Sequence, residues 1–285
     1  MNDQVIRGEL RDQRFPGDSP GVIFDRARLS NVDFSGIRFT GFLAYGTEFE
    51  GCDFSGAAFE RPLLGSTGTG LDGRPWDGLS WPQTVYRNCT FGRTRFPAHT
   101  YFGNARFEGC RFDRSRLRDQ TTTFAAEFVD CVFTGRVHNV NFWGRPDGDH
   151  GALGRERNAF TGNDFTAAEL EHVAFLHIDL RAQRFPGPPG YALLDRIADR
   201  VQAVLPLVDG WPDERHREEA RFALGYLADR AGADNDDQAL VSPARMGRKL
   251  PPALREELFA ALRRTTTDTA DGRAASLPGP GPAAR

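Results

Sequence analysis

Residues 158–180 read NAFTGNDFTAAELEHVAFLHIDL, and their large apolar side chains fall on a ruler: Phe160, Phe165, Leu170, Phe175 and Leu180 stand five residues apart. A spacing of five fits neither the 3.6-residue period of a helix nor the two-residue period of a flat strand. The residue two before each of the last three is small or β-branched: Ala168, Val173 and Ile178. Two of every five side chains therefore face inward, one large and one small. A square coil of four five-residue sides meets that requirement.

Outward from this stretch the same ruler recurs, as an internal repeat should. Phe24, Leu29, Phe34, Phe39, Phe49, Phe54 and Phe59 keep it, with Ala44 the position that lacks a large residue. Tyr86, Phe91 and Phe96 restart it, a one-residue shift leads to Phe102, Phe107, Phe112 and Leu117, and another leads to Phe128 and Phe133. The last series runs on to Phe185. Cys89, Cys110 and Cys131 are each 21 apart, which is one four-sided turn plus the one-residue shift. With the segment between Phe59 and Tyr86 looped out, Cys52 joins them, and the four cysteines form one buried column at the strand spacing of about 4.8 Å. Such thiols act as small hydrophobes. No Cys-x-x-Cys pair suggests zinc.

These residues resemble the pentapeptide-repeat proteins, whose motif is a small residue, Asp or Asn, Leu or Phe, and two variable positions. The opening stretch matches it, as do LSNVDFSGIRF and GCDFSGAAF. The resemblance covers roughly residues 20 to 187 less two interruptions. It implies an all-β solenoid, a right-handed quadrilateral parallel β-helix, and it includes members that engage DNA gyrase or topoisomerase IV and protect it from drugs or toxins. In that family a helical C-terminus supports dimerisation.

The pentapeptide QRFPG occurs at residues 13–17 and again at 183–187. Phe15 and Phe185 are expected as the large inward residues of the terminal coils. Pro16 and Pro186 cannot donate to a further coil, and Gln13 and Gln183 stand where interior coils carry a small residue. Pro97, in TRFPAH, is expected beside a break in the ladder.

After the second QRFPG the pattern becomes helical. YALLDRIADRVQAVLPLV places Leu194, Ile197, Val201 and Leu205 on one face, PDERHREEARFALGYLADRAG carries acids at its start and Arg and Gly at its end, and PPALREELFAALRR follows a polar loop. The organisation read from sequence is an N-terminal cap over 1–20, a repeat coil over 21–187 with loop insertions at about 61–83 and 143–157, a helical cap and dimerisation region over 188–265, and a tail over 266–285 whose composition forms no core. The helices are expected to cover the coil end after Phe185 and to offer an apolar face to a second copy.

A chain of 285 residues with 26% charged residues and a formal net charge of −3 favours no particular partner. No apolar run of about 20 residues suggests a membrane span, the start is too polar for a signal peptide, and the chain is expected in the cytoplasm. No metal or cofactor is expected. Gly68, Gly70 and Gly73 spell G-x-G-x-x-G without the strand and helix that make it a phosphate site. Asp147, Asp149 and His150 lack the glutamate of a calcium loop. No nucleophile accompanies His172 and His177.

Two features remain as candidate partner-binding residues. Trp76 and Trp81 lie in the first insertion, where large aromatics either fold back on the coil or anchor a partner. Arg93 and Arg114, like Arg95 and Arg116, are one coil apart at outward positions, a stack of like charges that costs stability unless an anion compensates it. The function read from these features is a non-enzymatic protein-binding scaffold, with nucleic acid left open as a partner and a homodimer expected. The alternatives are a gyrase- or topoisomerase-binding protein, and a small-molecule binder or enzyme with a pocket between helices and coil. Against the first alternative, residues 1–187 hold 22 arginines and 24 acids, whereas those family members present a strongly acidic surface.

Overall fold

The computed structural model describes residues 4–17, 21–66, 82–121, 123–146 and 155–265. Its first part is a coil with four faces of parallel strand pairing. On face 1, Gln4–Ile6, Val22–Asp25, Phe42–Tyr45 and Pro62–Leu63 stack in order. Face 2 stacks seven strands from Glu9–Arg11 to Phe160–Thr161. Face 3 runs through bridges linking Arg14, Asp33, Asp53, Thr90 and Arg111, then through Val132 and Asp164 to Arg184. Face 4 joins Arg38–Phe39 to Ala58–Phe59, then Ala58 to Arg95 and Arg95 to Arg116.

The five-residue period produces these faces because each side is one short strand followed by a corner, and many corners need a positive φ. Asn31, Gly51, Asn88, Gly109, Asp130 and Gly162 supply it at one corner, with φ from 52° to 68°. Glycine bears that conformation without a Cβ penalty, and Asn and Asp tolerate it better than most other residues.

Inside, face 3 carries a ladder of phenylalanines from end to end. Ring centroids of Phe34 and Phe54 lie 4.7 Å apart, those of Phe54, Phe91, Phe112 and Phe133 follow at 4.9 Å, and Phe133 and Phe165 are 4.6 Å apart. The ladder ends on Phe15 at 5.0 Å from Phe34 and on Phe185 at 5.7 Å from Phe165. The two QRFPG segments are thus the two terminal rungs. Stacking every ring on the next buries large apolar area in a continuous core.

Beside the ladder runs the cysteine column. Thr90, Arg111 and Val132 donate their N–H groups to the carbonyls of Cys52, Cys89 and Cys110, so the four buried cysteines succeed one another coil by coil. All four are free thiols, and burial pushes those of Cys89 and Cys131 well above the usual thiol range.

The structure corrects the ruler in places. Phe42 and Ala44 exchange roles, the large residue standing two before the small one, and both are fully buried. Leu64 continues the series after Phe59, fully buried, while Pro62 and Leu63 pair with Phe42 and Leu43. Residues 61–66 therefore belong to the coil rather than to the first insertion. Trp143 closes the long strand Val132–Trp143, so it too lies in the coil. Pro97 sits where the face 4 sheet is interrupted: Ala58, Arg95 and Arg116 are joined there only by isolated bridges.

The C-terminal part departs further from the sequence reading. Leu194 ends a strand, Ala192–Leu194, paired antiparallel with Ala239–Val241, and does not lie on a helix. Helix α1 (Ile197–Asp209), α2 (Glu214–Asp234) and α3 (Pro252–Arg264) bury Ile197, Val201, Val204 and Val208 with Leu224, Leu258, Phe259 and Leu262 in a second core of their own. Arg200 fastens α1 to α3 by donating to the carbonyls of Leu262 and Thr265.

At the coil end, side chains of the C-terminal part pair with the open edge, beside a cleft between Val173 and Phe175 of the coil and Leu227 and Ala231 of α2. Tyr191 Oη accepts from Leu170 N and donates to Leu170 O, at 2.9 and 3.2 Å. Asn235 donates to Phe175 O and accepts from Ile178 N, and Arg245 donates to Val173 O. These groups pair with open edge positions that would otherwise lack a strand. No helix among the described residues is long and apolar enough to cross a membrane.

Candidate partner-binding face

The corner that follows face 3 repeats along the coil as Gly36, Gly56, Arg93, Arg114 and Gly135, each of the first four donating its N–H to the residue before the next corner. Their φ values are 72°, 71°, 52°, 50° and 73°. Glycine is the residue this position favours, yet two consecutive coils place arginine there. A left-handed backbone costs a side-chain-bearing residue roughly 1 kcal/mol or more. Neither Arg93 nor Arg114 has the short polar side chain that eases Asn or Asp into this conformation. The stem of Arg114 lies over Gly135, where an added Cβ would meet its Cγ at 3.3 Å.

Face 4 adds Arg95 and Arg116, bridged to one another in register, and face 3 adds Arg111. All five guanidinium-bearing side chains are exposed, and none forms an ion pair among the described residues. Elsewhere on the coil many arginines are paired, although Arg28, Arg61 and Arg157 form no ion pair among the described residues. Arg7 pairs with Asp25, Arg38 with Glu60, Arg87 with Glu108, and Arg106 with Glu127. On the flank of the patch, Arg118 meets Asp119 and Arg136 meets Glu171. A hydrogen bond from Asn139 and the Arg118 charge hold the Asp119 carboxyl below its usual range, and Arg136 does the same for Glu171. These five arginines thus form one patch, with compensated charge on its flank. A shallow groove lined by Arg114, Arg116, Arg118, Arg136 and His138 runs across it.

The sequence reading picked Arg93, Arg95, Arg114 and Arg116, and the structure brings these four together on one corner and the adjoining face. Arg111, near them in sequence, joins them on face 3, where it follows Cys110 as Thr90 follows Cys89 and is bridged to Thr90. Trp76 and Trp81 lie outside the described residues, as do Asp147, Asp149, His150 and the three glycines of the G-x-G-x-x-G segment. The described residues that flank both insertions lie between faces 1 and 2, diagonal to the arginine corner: Leu64 is followed by Val85–Arg87, and Trp143 by Phe160–Thr161. Glu127 ties those flanks together, accepting from Gln83 Nε2 at 2.8 Å and from Ala159 N at 2.8 Å. The arginine patch and the loops are therefore separate features.

Among the described residues no group of three or more His, Cys, Asp or Glu could hold a metal ion. The architecture defines a class: a parallel β-helical solenoid of five-residue repeats, stacked on an aromatic ladder. The family model for pentapeptide repeats matches residues 23–61 in 8 copies, so this stretch carries pentapeptide repeats. A search of curated proteins finds no match. Among solved structures, a trypsin-treated form of QnrB1, a plasmid-mediated fluoroquinolone resistance protein, is 16% identical over 65% of this chain and 79% of its own, with a TM-score of 0.24. HetL, a pentapeptide repeat protein involved in heterocyst differentiation regulation from the cyanobacterium Nostoc sp., is 12% identical over 63% and 87%, with a TM-score of 0.20.

Proposed function

We propose that this chain is a non-enzymatic scaffold that docks an acidic protein surface on its arginine corner. The observation that carries this reading is the placement of Arg93 and Arg114 at positions where glycine is the cheaper residue, next to three further arginines without a carboxylate. Strain and like-charge repulsion persist where a partner compensates them. The test is titration of a fluorescent poly-glutamate peptide at low salt. Binding that falls with salt, and that weakens about tenfold or more in an Arg93→Glu, Arg114→Glu double variant, supports the reading. Unchanged affinity in that variant overturns it, and so does tighter binding of duplex DNA than of the peptide. Arg114→Gly separates strain from binding: it stabilises the fold by up to about 1 kcal/mol while weakening the peptide.

A more specific reading takes DNA gyrase or topoisomerase IV as the partner, following the resemblance of the repeats to topoisomerase-protecting members. The near balance of 22 arginines and 24 acids over residues 1–187 speaks against a DNA-like surface. A supercoiling assay with and without the chain decides it. Self-association belongs to the same proposal. Phe222 and Tyr226, one turn apart on α2, are 73% and 62% exposed, and they are the apolar face this reading assigns to a second copy. Sedimentation of the chain against a Phe222→Ala, Tyr226→Ala variant tests that assignment, and identical monomeric behaviour of both removes it.

A further inference from the structure

The groove that crosses the arginine patch has a charge balance of its own. Its volume is about 600 Å³, and Arg114, Arg116, Arg118, Asp119, Arg136 and His138 bring the polar groups that face it. Two of the four guanidinium groups already hold a carboxylate each. Arg118 is paired with Asp119 at 3.3 Å, and Arg136 with Glu171, whose carboxylate also lies 3.1 Å from His138 Nδ1. Asp119 accepts a further bond from Asn139, and the buried Ser115 turns its hydroxyl inward to Phe91 O. Arg114 and Arg116 are exposed and form no ion pair among the described residues. The groove therefore keeps two positive charges, two residues apart, without a carboxylate. Gly135 leaves the Arg114 stem its place there, since a Cβ at that position would meet Arg114 Cα at 3.2 Å and Cγ at 3.3 Å.

We propose that the groove receives a phosphorylated serine or threonine of the docked partner, with the phosphate held between Arg114 and Arg116. This rests on the reading of the arginine corner as a dock for an acidic protein, and it names the group selected there. The flank shows what a carboxylate does in this setting: Asp119 engages one guanidinium and Glu171 engages one. A single carboxylate between Arg114 and Arg116 would leave one positive charge over. A phosphate monoester carries close to two negative charges and three acceptor oxygens. One such group can accept from both guanidinium forks at once, which suits arginine better than a point charge. A nucleic-acid backbone fits less well, because its phosphates carry one charge each and repeat along the strand, whereas the arginines on the flank already have their carboxylates.

Two terminally blocked peptides test it in calorimetric titration of the full chain, at low salt and about pH 8, where the phosphate is fully ionised. One is a run of glutamates with a central phosphoserine. The other is all glutamate and one residue longer, so that the total charge is equal. The phosphopeptide is expected to bind about tenfold more tightly. Arg116→Gln is expected to abolish that preference, while Arg95→Gln, on the same face but outside the groove, is expected to weaken both peptides alike and keep it. Equal affinity of the two peptides for the unaltered chain overturns the proposal and leaves the acidic dock standing. A preference that survives Arg116→Gln, or that Arg95→Gln removes as well, overturns it too. Binding of the phosphopeptide alone supports the groove and removes the wider dock, and binding of neither removes both. Duplex DNA that binds more tightly than the phosphopeptide also overturns the proposal.

Discussion

The two ends of the coil carry the same five residues, Gln-Arg-Phe-Pro-Gly, and finish in different ways. At each end the arginine reaches back to an aspartate of the neighbouring coil, Arg14 to Asp33 at 2.6 Å and Arg184 to Asp164 at 3.0 Å. At each end the phenylalanine forms the last rung of the ladder, and proline follows. The glutamines differ. Gln183 is buried, donates to the carbonyls of Phe160 and Asp179, and accepts from the backbone and side chain of Asn163. Gln13 is exposed and contributes its backbone carbonyl to Asp33 N. The C-terminal end is also roofed by Tyr191, Asn235 and Arg245, while at the other end Val5 is 46% exposed. One motif therefore suits both ends, and what distinguishes them among the described residues is the roof of Tyr191, Asn235 and Arg245 at the C-terminal one.

The largest expected effect separates both ends from the middle. Phe112, fully enclosed between Phe91 and Phe133, should cost about 3–5 kcal/mol when changed to Ala, because stacked rings on both sides prevent closure of the cavity. Phe185→Ala, at a half-buried rung with one stacked neighbour, should cost clearly less in the same denaturant titration. Equal losses would break the picture of a ladder with ends.

Next comes the contrast between the glutamines. Gln183→Leu leaves the carbonyls of Phe160 and Asp179 and the N–H of Asn163 without their partner, and should lose about 2–3 kcal/mol. Gln13→Leu should stay within about 0.5 kcal/mol, as surface changes do. Similar values for both would show that the ends close alike.

Asn235→Ala probes the roof. Removing its amide uncovers Phe175 O and Ile178 N, so stability should fall by about 1–2 kcal/mol. Hydrogen exchange at the Ile178 amide should accelerate with it. An unaltered exchange rate would show that water replaces the side chain without loss.

Acid should affect both ends alike, and weakly. Hydrogen bonds from Ser35, with the charge of Arg14, hold the Asp33 carboxyl below the usual range. At Asp164 burial pushes the carboxyl up, but hydrogen bonds from Thr166 and the charge of Arg184 outweigh it. Carboxyls depressed in the folded state contribute stability above the unfolded pKa of about 3.9 and lose it as pH falls through the folded value. Unfolding midpoints should therefore decline below about pH 4, and Arg14→Gln and Arg184→Gln should each flatten part of that decline.

The coil was legible in the sequence because a repeat writes its own period: each large inward residue must recur where the strand recurs, and a misplaced one leaves a cavity in every neighbouring coil. The phenylalanine ladder, the cysteine column, the terminal role of the QRFPG segments and the clustering of Arg93, Arg95, Arg114 and Arg116 all follow from that spacing. Phe42 escaped it because two inward positions of one side can trade large for small without changing their sum, and Leu64 escaped because an insertion follows it. The sequence could not tell which arginines lack a carboxylate, since pairing is decided largely by side chains on adjacent coils, about 20 residues away for Arg87 and Arg106 and farther where an insertion intervenes, as for Arg136. The C-terminal roof was equally hidden. An amphipathic pattern states that a helix has a partner but not which one, and only the tertiary structure turned α1 toward α3 and set Asn235 and Tyr191 against the open edge of the coil.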